Sequence, residues 1–320
     1  MSETSAPAVD FANLDEATFA RLYRERIEPC FRDNEDERVA AVESYKRRLM
    51  IGAPAVLATA AIAWSWSHEF WFGFFAIVFL GVIAFAIAYG PLAAVGKKVK
   101  QAYCAAIADA MGASFKMGGF DPPALERMKH LRLLPGYARS SFEDLFSGSY
   151  QGCPFDLYEA HLEERHTDSK GRTRYVTVFR GQLIRMQFPR KFLGITVVRR
   201  DAGVFNVFGG GFGLKRVGLE DPLFEKAFEV WGNDQVGARY ILHPVLMQRL
   251  LDLETRLKGK RLRCAFEEGD LLVAVEGGNL FEPGDLFKPL VDQTRARRIV
   301  DEISSVVRVM EQVITAQARR

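Results

Sequence analysis

One stretch of the chain, residues 161–166, has the sequence His-Leu-Glu-Glu-Arg-His and so contains the residue types of a zinc-binding helix. Such a helix needs two histidines about four positions apart on one face. His161 and His166 are five positions apart, and in the strand that we predict here an odd spacing points them to opposite faces. The four cysteines form no Cys-x-x-Cys pair, which indicates reduced cytosolic thiols. We therefore expect no metal site.

A glycine-rich stretch at residues 209–213 is the nearest approach to a phosphate-binding loop. No Gly-Lys-Ser/Thr follows it, and its spacing is not Gly-x-Gly-x-x-Gly, so a connecting loop is predicted instead. The chain also has no Gly-x-Ser-x-Gly elbow of the kind that carries a hydrolase nucleophile. We expect neither a cofactor nor a catalytic residue of these types.

Basic side chains are concentrated in residues 161–200, where ten Lys or Arg residues outnumber three carboxylates and give a net charge of +7. Each basic side chain held near an anionic leaflet contributes about 1 kcal/mol to membrane binding. We predict that this sheet face contacts anionic lipid headgroups or an acidic partner; a merely solvated strand face is the alternative. Nucleic acid is not expected, because aromatic residues are not interleaved with the basic ones. The candidate contact residues are Arg172, Arg174, Arg180, Arg185, Arg190 and Lys191.

A second candidate site is the polar cluster formed by Glu220-Asp221 and by Asp234 with Arg239. In the functional interpretation, Asp234 and Arg239 engage a ligand or a partner's basic group. In the structural interpretation, Asp221 and Asp234 begin short helices and Arg239 pairs locally. We favour the structural interpretation, because helix capping alone explains these residue types.

Two apolar segments, residues 49–67 and 70–89, determine where the rest of the chain can lie. Residues 49–67 and 70–96 contain no charged side chain, and only the turn Ser67-His68-Glu69 joins them. A helix of about 20 residues crosses the roughly 30 Å hydrocarbon core of a bilayer. The sequence therefore predicts a transmembrane helical hairpin over 49–96, with a buried core hairpin of a soluble protein as the alternative.

Basic residues flank this hairpin on one side only. Lys46, Arg47 and Arg48 precede it, Lys97 and Lys98 follow it, and the turn has no Lys or Arg. By the positive-inside rule both termini face the cytoplasm. No ionisable residue lies within either span, so we predict an anchor and not a transport path.

The rest of the chain is predicted to be cytoplasmic, with a helical segment over 1–48, a juxtamembrane helix over 97–115 and an α+β domain over 116–320. β-Branched and aromatic runs between residues 142 and 200 predict a meandering antiparallel sheet, with separate strands over 173–179 and 182–188. A long C-terminal helix then carries an apolar seam, which either packs on the domain's own sheet or joins two copies. The seam residues are Ala296, Ile299, Ile303, Val306, Met310 and Val313.

Three stretches, residues 217–231, 233–244 and 280–283, carry a resemblance to a known family. They begin Val-Gly-Leu-Glu-Asp-Pro, Asn-Asp-Gln-Val-Gly-Ala and Leu-Phe-Glu-Pro. The chain resembles an uncharacterised family of bacterial membrane proteins, a domain of unknown function. This resemblance implies the layout described above and no activity. Gly237 stands where an acidic residue is expected, and His243 where a hydroxyl residue usually precedes the proline.

These expectations define an α+β protein of the bacterial inner membrane, multi-pass, with both termini cytoplasmic and the lipid bilayer as its partner. The favoured function is a membrane-anchored binding or scaffolding module. A membrane-tethered enzyme is the first alternative, and it needs clustered titratable groups that the linear sequence does not show. An accessory subunit of a membrane complex or transporter is the second. Homo-oligomerisation through the C-terminal helix is a further prediction.

Overall fold

The computed structural model describes residues 10–200, 213–257, 260–282 and 284–318. The chain divides into two compact units. The first, here called the sheet unit, comprises Met1–Ala20, Ile107–Phe281 and Arg297–Arg320. The second, here called the helix unit, comprises Arg21–Ala106 and Glu282–Ala296. The predicted glycine-rich loop falls mainly outside the described residues, which exclude 209–212.

Helices and strands come largely in separate runs, as expected of an α+β chain. A 3₁₀ turn over Phe11–Asn13 comes first, and a π-helical stretch over Tyr23–Ile27 joins α1 to α2. The α-helices are α1 (Glu16–Leu22), α2 (Glu28–Asp33), α3 (Glu35–Ser67), α4 (Phe70–Ala110), α5 (Leu125–His130), α6 (Pro222–Ala227), α7 (Gln235–Ile241), α8 (Pro244–Arg256) and α9 (Gln293–Ala318). The strands are β1 (Ser114–Lys116), β2 (Arg139–Tyr150), β3 (Cys153–Thr167), β4 (Thr173–Gln187), β5 (Ile195–Arg200), β6 (Lys215–Arg216), β7 (Phe228–Gly232), β8 (Lys260–Glu267) and β9 (Asp270–Glu276).

The helix unit is built on α3 and α4, which contain the two predicted apolar segments. Both helices are long and apolar enough to cross a membrane by length and composition. His68 adopts a left-handed conformation, with φ of 53°, and ends α3 before α4 begins at Phe70. The helices approach closely at Gly73, where a Cβ atom would lie 3.2 Å from Trp64 Cβ and 3.3 Å from Ala60 O. Each apolar segment is part of a longer continuous helix, because α3 and α4 both extend beyond it.

The predicted juxtamembrane helix over 97–115 is too long at its C-terminal end. Helix α4 runs without a break from the apolar segment to Ala110, and residues 114–116 form strand β1. Gly112 has φ of 69°, and the Ala113 N–H donates to Ala108 O at 2.8 Å. A glycine in the left-handed region just past a helix is a common terminator, because it lacks the Cβ atom that would clash there. The helical periodicity alone did not reveal this stop signal.

The sheet unit contains a nine-stranded, fully antiparallel sheet in the order β1-β2-β3-β4-β9-β8-β5-β7-β6. Together with the two long apolar helices and the C-terminal helix, it confirms the predicted α+β fold class. Residues 173–179 and 182–188 were expected as separate strands, but β4 continues through Gly181. A Cβ atom at Gly181 would lie 2.0 Å from Val275 O of β9, so glycine lets the two backbones pair closely. The strand is therefore continuous where the sequence suggested a break.

Both faces of the sheet are covered. One face packs against α5 and the segment that follows it, where Met128, Leu131 and Leu133 meet sheet residues such as Leu183 and Leu272. Residues that alternate with these along the strands point to the opposite face and are also buried. They include Ile184, Met186, Val198, Cys264, Val273 and Val275.

The apolar seam of α9 is buried within the chain along its whole length. Val313 of α9 lines a small cavity with Leu246 of α8 and Phe192, so the end of α9 packs inside the sheet unit. The seam is thus covered without a second copy of the protein. Self-association through this helix stays a prediction.

Candidate functional site

A polar cleft opens at one end of the sheet, on the face that carries α5. Three strands end here side by side, because Asp156 of β3 is in register with Arg185 of β4, and Gln187 of β4 with Asp270 of β9. The cleft has a volume of about 510 Å³. Its lining residues are Arg127, Gly152, Pro154, Arg185, Gln187, Phe188, Pro189, Lys191, Glu268, Gly269 and Asp270.

The wall of the cleft is a loop over residues 188–192 that is tied to the β8–β9 turn. The Phe188 N–H donates to Gly269 O at 2.7 Å, and the Phe192 N–H donates to Glu268 O. A Cβ atom at Gly269 would lie 3.0 Å from Phe188 O, so glycine allows this close approach. The buried ring of Phe192 also packs edge-on against Phe266, with centroids 5.3 Å apart. These contacts hold Lys191 at the rim on a well-packed loop.

Asp270 is the central charged group of the cleft, and only 4% of its surface is exposed. Its Oδ2 atom accepts hydrogen bonds from Arg127 Nη1 and, at 3.4 Å, from Arg185 Nε. Its Oδ1 atom is buried and has no hydrogen-bond partner among the described residues. A buried carboxylate oxygen without a partner raises the free energy of the folded state, because it has lost its hydrogen bonds to water and forms none within the protein. The cleft therefore contains one buried acceptor that a ligand or a water molecule could satisfy.

Each of the two arginines beside Asp270 also contacts a second carboxylate. Arg127 Nη2 lies 3.0 Å from Glu267 Oε2, and Arg185 Nη1 lies 3.4 Å from Asp156 Oδ2. Burial alone lowers the pKa of Arg127, but its hydrogen bonds with Glu267 and Asp270 outweigh that effect and raise the pKa above its usual value. The result is a chain of alternating charges that fixes the cleft wall.

The cleft chemistry suits recognition of a ligand that carries both an anionic group and a hydrogen-bond donor. Lys191 at the rim is exposed, and no ion pair joins it to another described residue. It can attract an anionic group, while Asp270 Oδ1 can accept a hydrogen bond further inside. The described lining contains charged, amide, proline and phenylalanine side chains, and no hydroxyl, thiol or imidazole group.

The six predicted basic contact residues do not form one surface. Arg185 and Lys191 lie at the cleft. Arg172 and Arg174 lie at the exposed tip of the β3–β4 hairpin, at the other end of β4, and Arg172 pairs with Asp168 at 3.0 Å. Since β4 has 15 residues, the strand places roughly 45 Å between its two ends.

The two remaining basic residues have local hydrogen-bond partners. Arg180 donates to Asn279 Oδ1 at 3.0 Å, and Arg190 donates to Gln317 O at 2.7 Å. The count of charges along the sequence was correct. It could not show that only Arg174, Arg180 and Arg185 lie on β4 and that the other three lie outside it.

Asp234 and Arg239 contact different groups. Asp234 is the N-cap of α7, and its Oδ1 accepts from the Val236 and Gly237 N–H groups at 3.1 and 3.0 Å. The Arg239 Nε donates to Gly218 O at 3.1 Å. The contacts of Asp234 match the structural interpretation. Arg239 does not pair locally, because its partner Gly218 O lies 21 residues away in the chain. Ligand binding by the two residues stays a prediction.

His161 and His166 both lie on β3. His161 Nε2 is 2.8 Å from Thr177 Oγ1, and His166 Nε2 is 3.4 Å from Glu164 Oε2. Within the described ranges, no group of three or more His, Cys, Asp or Glu residues is arranged to hold a metal ion.

Sequence reasoning missed the Arg127–Asp270–Arg185–Asp156 network, because its members come from four separate elements. Asp270 falls in a recognisable hairpin turn, Glu267-Glu268-Gly269-Asp270, which placed it at a strand end. Nothing in the sequence singled out Arg127. The strand register brings Asp156, Arg185 and Asp270 together, and the packing of α5 on the sheet adds Arg127.

Comparison with known proteins agrees with the family resemblance. A family model described as a protein of unknown function, DUF3137, matches residues 177–314. This confirms the predicted domain of unknown function; the matched region contains Arg185, Lys191 and Asp270 but not Arg127. No curated protein matches the chain. Among solved structures, the crystal structure of the mycobacterial trehalose monomycolate transport factor A, TtfA, is 12% identical with a TM-score of 0.34, and the match covers 64% of this chain and 93% of that chain.

Proposed function

We propose that the protein is a membrane-anchored binding module, in which α3 and α4 cross a bilayer and the sheet unit binds a ligand in the cytoplasm through its polar cleft. The observation that carries this proposal is the exposure of apolar side chains on the two helices. In the most apolar stretch of each helix only 6% of the residues are buried within the protein. A core helix of a soluble protein would instead be mostly buried.

The exposed side chains are large and form continuous surfaces. Ile62 of α3 is 69% exposed, and Phe79 and Val82 of α4 are 68% and 64% exposed. Burying apolar surface gains about 25 cal/mol per Å², so leaving this surface in water would cost much of the stability of a normal domain. A bilayer supplies the apolar environment, and α3 and α4, with 33 and 41 residues, exceed the length that is needed.

The flanking charges support an orientation with both termini in the cytoplasm. Basic side chains at Lys46, Arg47 and Arg48 of α3 and at Lys97 of α4 lie beyond the apolar stretches on the side opposite the turn. Exposed Trp66 and Trp71 lie next to the turn, as expected of aromatic residues at the far interface. We therefore propose that the protein lies in the inner membrane of a bacterium.

The cleft supports binding as the role of the cytoplasmic part. Ion pairs of Asp270 with Arg127 of α5 and with Arg185 of β4 fix its wall, and its centre holds one buried acceptor, Asp270 Oδ1. Preformed polar groups in a concave site provide orientation and specificity for a ligand. The described lining offers charge and hydrogen-bond contacts and no nucleophile paired with a base, so binding is favoured over catalysis.

Labelling of single cysteines in the full chain tests the orientation. We would replace Cys30 with Ser and introduce either Glu69→Cys in the turn or Arg172→Cys at the hairpin tip, both exposed positions. In intact spheroplasts a membrane-impermeant maleimide is expected to label Glu69→Cys only, and Arg172→Cys after permeabilisation. Labelling of Arg172→Cys in sealed spheroplasts would contradict the proposal.

Co-purification tests the binding role separately. The wild-type chain and the Asp270→Asn variant would be purified in mild detergent from the native host, and small molecules released on denaturation identified by mass spectrometry. We expect a compound that is stoichiometric with the wild type and depleted at least about tenfold with Asp270→Asn, because a lost hydrogen bond to a charged group is worth 1.5 kcal/mol or more. Equal recovery from both proteins would remove the cleft from the proposal.

A further inference from the structure

Exposed apolar side chains lie together on helix α7 and on the loop beside it, within the sheet unit. Val236 and Tyr240 are four positions apart on α7, so they share one face of the helix, and they are 76% and 37% exposed. Leu193 is 55% exposed, and a Cβ atom at Gly237 would lie 3.4 Å from its Cβ, so Leu193 lies against α7. A contiguous group of exposed apolar residues, unlike a single one, points to an interaction surface.

The segment that carries Leu193 runs alongside α7 from one end of the helix to the other. Arg190 and Lys191 line one small cavity together with Tyr240, near the C-terminal end of α7. At the other end, the Ile195 N–H donates to Asn233 Oδ1 at 2.7 Å, just before α7 begins. The two segments therefore form one continuous surface. Its exposed residues, here called the α7 surface, are Arg190, Lys191, Leu193, Val236, Arg239 and Tyr240.

Basic side chains lie beside the apolar ones on this surface. Arg190, Lys191 and Arg239 are exposed, and no ion pair joins any of them to a described residue. The hydrogen bonds of the two arginines go to backbone carbonyl groups, which carry no net charge. The two segments that form the surface contain one carboxylate, Asp234, so three basic residues give them a net charge of +2. The α7 surface is therefore both apolar and positively charged.

We propose that the α7 surface docks onto the anionic surface of the bilayer that holds α3 and α4. Its composition fits this partner, because apolar side chains enter the boundary between headgroups and acyl chains while basic side chains attract anionic headgroups. The inference rests on the proposed membrane anchoring and adds a second point of contact to it. It does not depend on what the cleft binds.

The length of the connecting chain favours the bilayer over other partners. The uncharged stretch of α4 ends at Gly96, and the sheet unit begins at Ile107. The ten residues between them span about 15 Å as a helix, so the sheet unit meets lipid at a high effective concentration. An acidic soluble protein has no such tether. A second copy of the chain is disfavoured, because two identical basic surfaces repel each other.

Fluorescence quenching in nanodiscs tests the docking on the full chain. A Val236→Cys variant that also carries Cys30→Ser would be labelled with an environment-sensitive fluorophore; the other three cysteines are buried. Lipids that bear a nitroxide quench the label only where it touches the bilayer. We expect quenching in discs that contain phosphatidylglycerol. It should be at least about fivefold weaker with phosphatidylcholine alone, since each basic side chain contributes about 1 kcal/mol.

Variants of exposed residues separate the charged and apolar contributions. Arg239→Gln should lower the ratio of docked to free sheet unit about fivefold, the effect of one basic side chain. Leu193→Asp should abolish quenching, because a carboxylate opposes both insertion and attraction. Arg174→Gln, at the exposed tip of the β3–β4 hairpin, is the matched control and should behave as the wild type. Sodium chloride at about 1 M should weaken the docking by screening the charges.

A second label position distinguishes failure of the docking from failure of the anchoring. Phe79 of α4 is 68% exposed, so a label at Phe79→Cys should be quenched in every disc if α4 lies in lipid. No quenching there would overturn the anchoring and the docking with it. Quenching at Phe79→Cys without a response to phosphatidylglycerol at Val236→Cys would overturn the docking alone. Equal quenching at Val236→Cys and at Arg172→Cys on the hairpin tip would also overturn it.

Other occupants of the α7 surface give different results. A label at Val236→Cys that is shielded from water but not quenched by nitroxide lipid, and only with two chains in each disc, identifies a second copy. A label that stays in water in anionic discs but is shielded in native membranes identifies a protein partner. Either result would overturn the proposal.

Discussion

The helix unit and the sheet unit depart from the usual rules of protein burial in opposite directions. In the helix unit, large apolar side chains such as Phe79 are exposed. In the sheet unit, apolar side chains are buried, and so are charged groups such as Asp270. Exposed apolar surface and a buried polar atom without a hydrogen-bond partner, such as Asp270 Oδ1, both cost free energy. We propose that each unit has an external partner, lipid for one and a polar ligand for the other.

The largest expected effect is the difference in stability loss between mutating a buried and mutating an exposed apolar side chain. Leu272 of β9 is 0% exposed, whereas Leu57 of α3 is 59% exposed. Leu272→Ala should lower the free energy of unfolding of the sheet unit by about 2–5 kcal/mol, because it removes buried methyl groups and leaves a cavity. Leu57→Ala is the matched control and should leave that value unchanged. Chemical denaturation in detergent measures both, and equal effects would contradict the comparison.

The next effect tests the charged network of the cleft. Asp270→Ala should cost about 1.5–3 kcal/mol, since it removes a charged acceptor from both Arg127 and Arg185. Asp252→Ala, which removes an exposed carboxylate 3.7 Å from Arg249, should cost under about 1 kcal/mol. Denaturation curves at neutral pH compare the two. A smaller loss for Asp270→Ala than for Asp252→Ala would show that the network does not stabilise the cleft.

The two units differ in how much of their structure could be predicted from the sequence. Absence of charge over 49–67 and 70–96 identified the two long apolar helices, because length and composition are enough there. Local signals also gave the Asp234 cap. The network of the cleft could not be predicted from the sequence, because Arg127 and Asp270 come together only in the folded structure. The helical periodicity likewise did not show that α4 ends at Ala110. The helix stops there because Gly112 adopts a left-handed conformation just beyond it.

A smaller effect concerns a buried hydroxyl group under α5. The Tyr158 hydroxyl donates to Pro123 O at 2.8 Å, and burial raises its pKa above the usual value. The unfolded chain releases this proton above about pH 10 and the folded chain does not, so Tyr158 contributes stability below that pH that is lost as the pH rises. Tyr158→Phe should cost about 1 kcal/mol at neutral pH and should flatten the fall in stability above pH 10. An unchanged alkaline slope would contradict this role.

The smallest effect is expected at the hairpin tip. Arg172 and its partner Asp168 are both exposed, so water already solvates them. Arg172→Met should leave the unfolding temperature unchanged, whereas Arg185→Met, in the middle of the cleft network, should lower it. A similar drop in both variants would mean that the two ends of β4 do not differ as described.

Extraction of membranes from cells that express the full chain tests the central claim most directly. Washing with alkaline carbonate strips proteins that are held only by surface contacts, and detergent releases those whose helices lie in lipid. Because α3 and α4 expose their apolar side chains, we predict that the chain stays in the pellet after the wash and appears in solution only with detergent. Recovery of the folded chain in the supernatant without detergent would contradict this account.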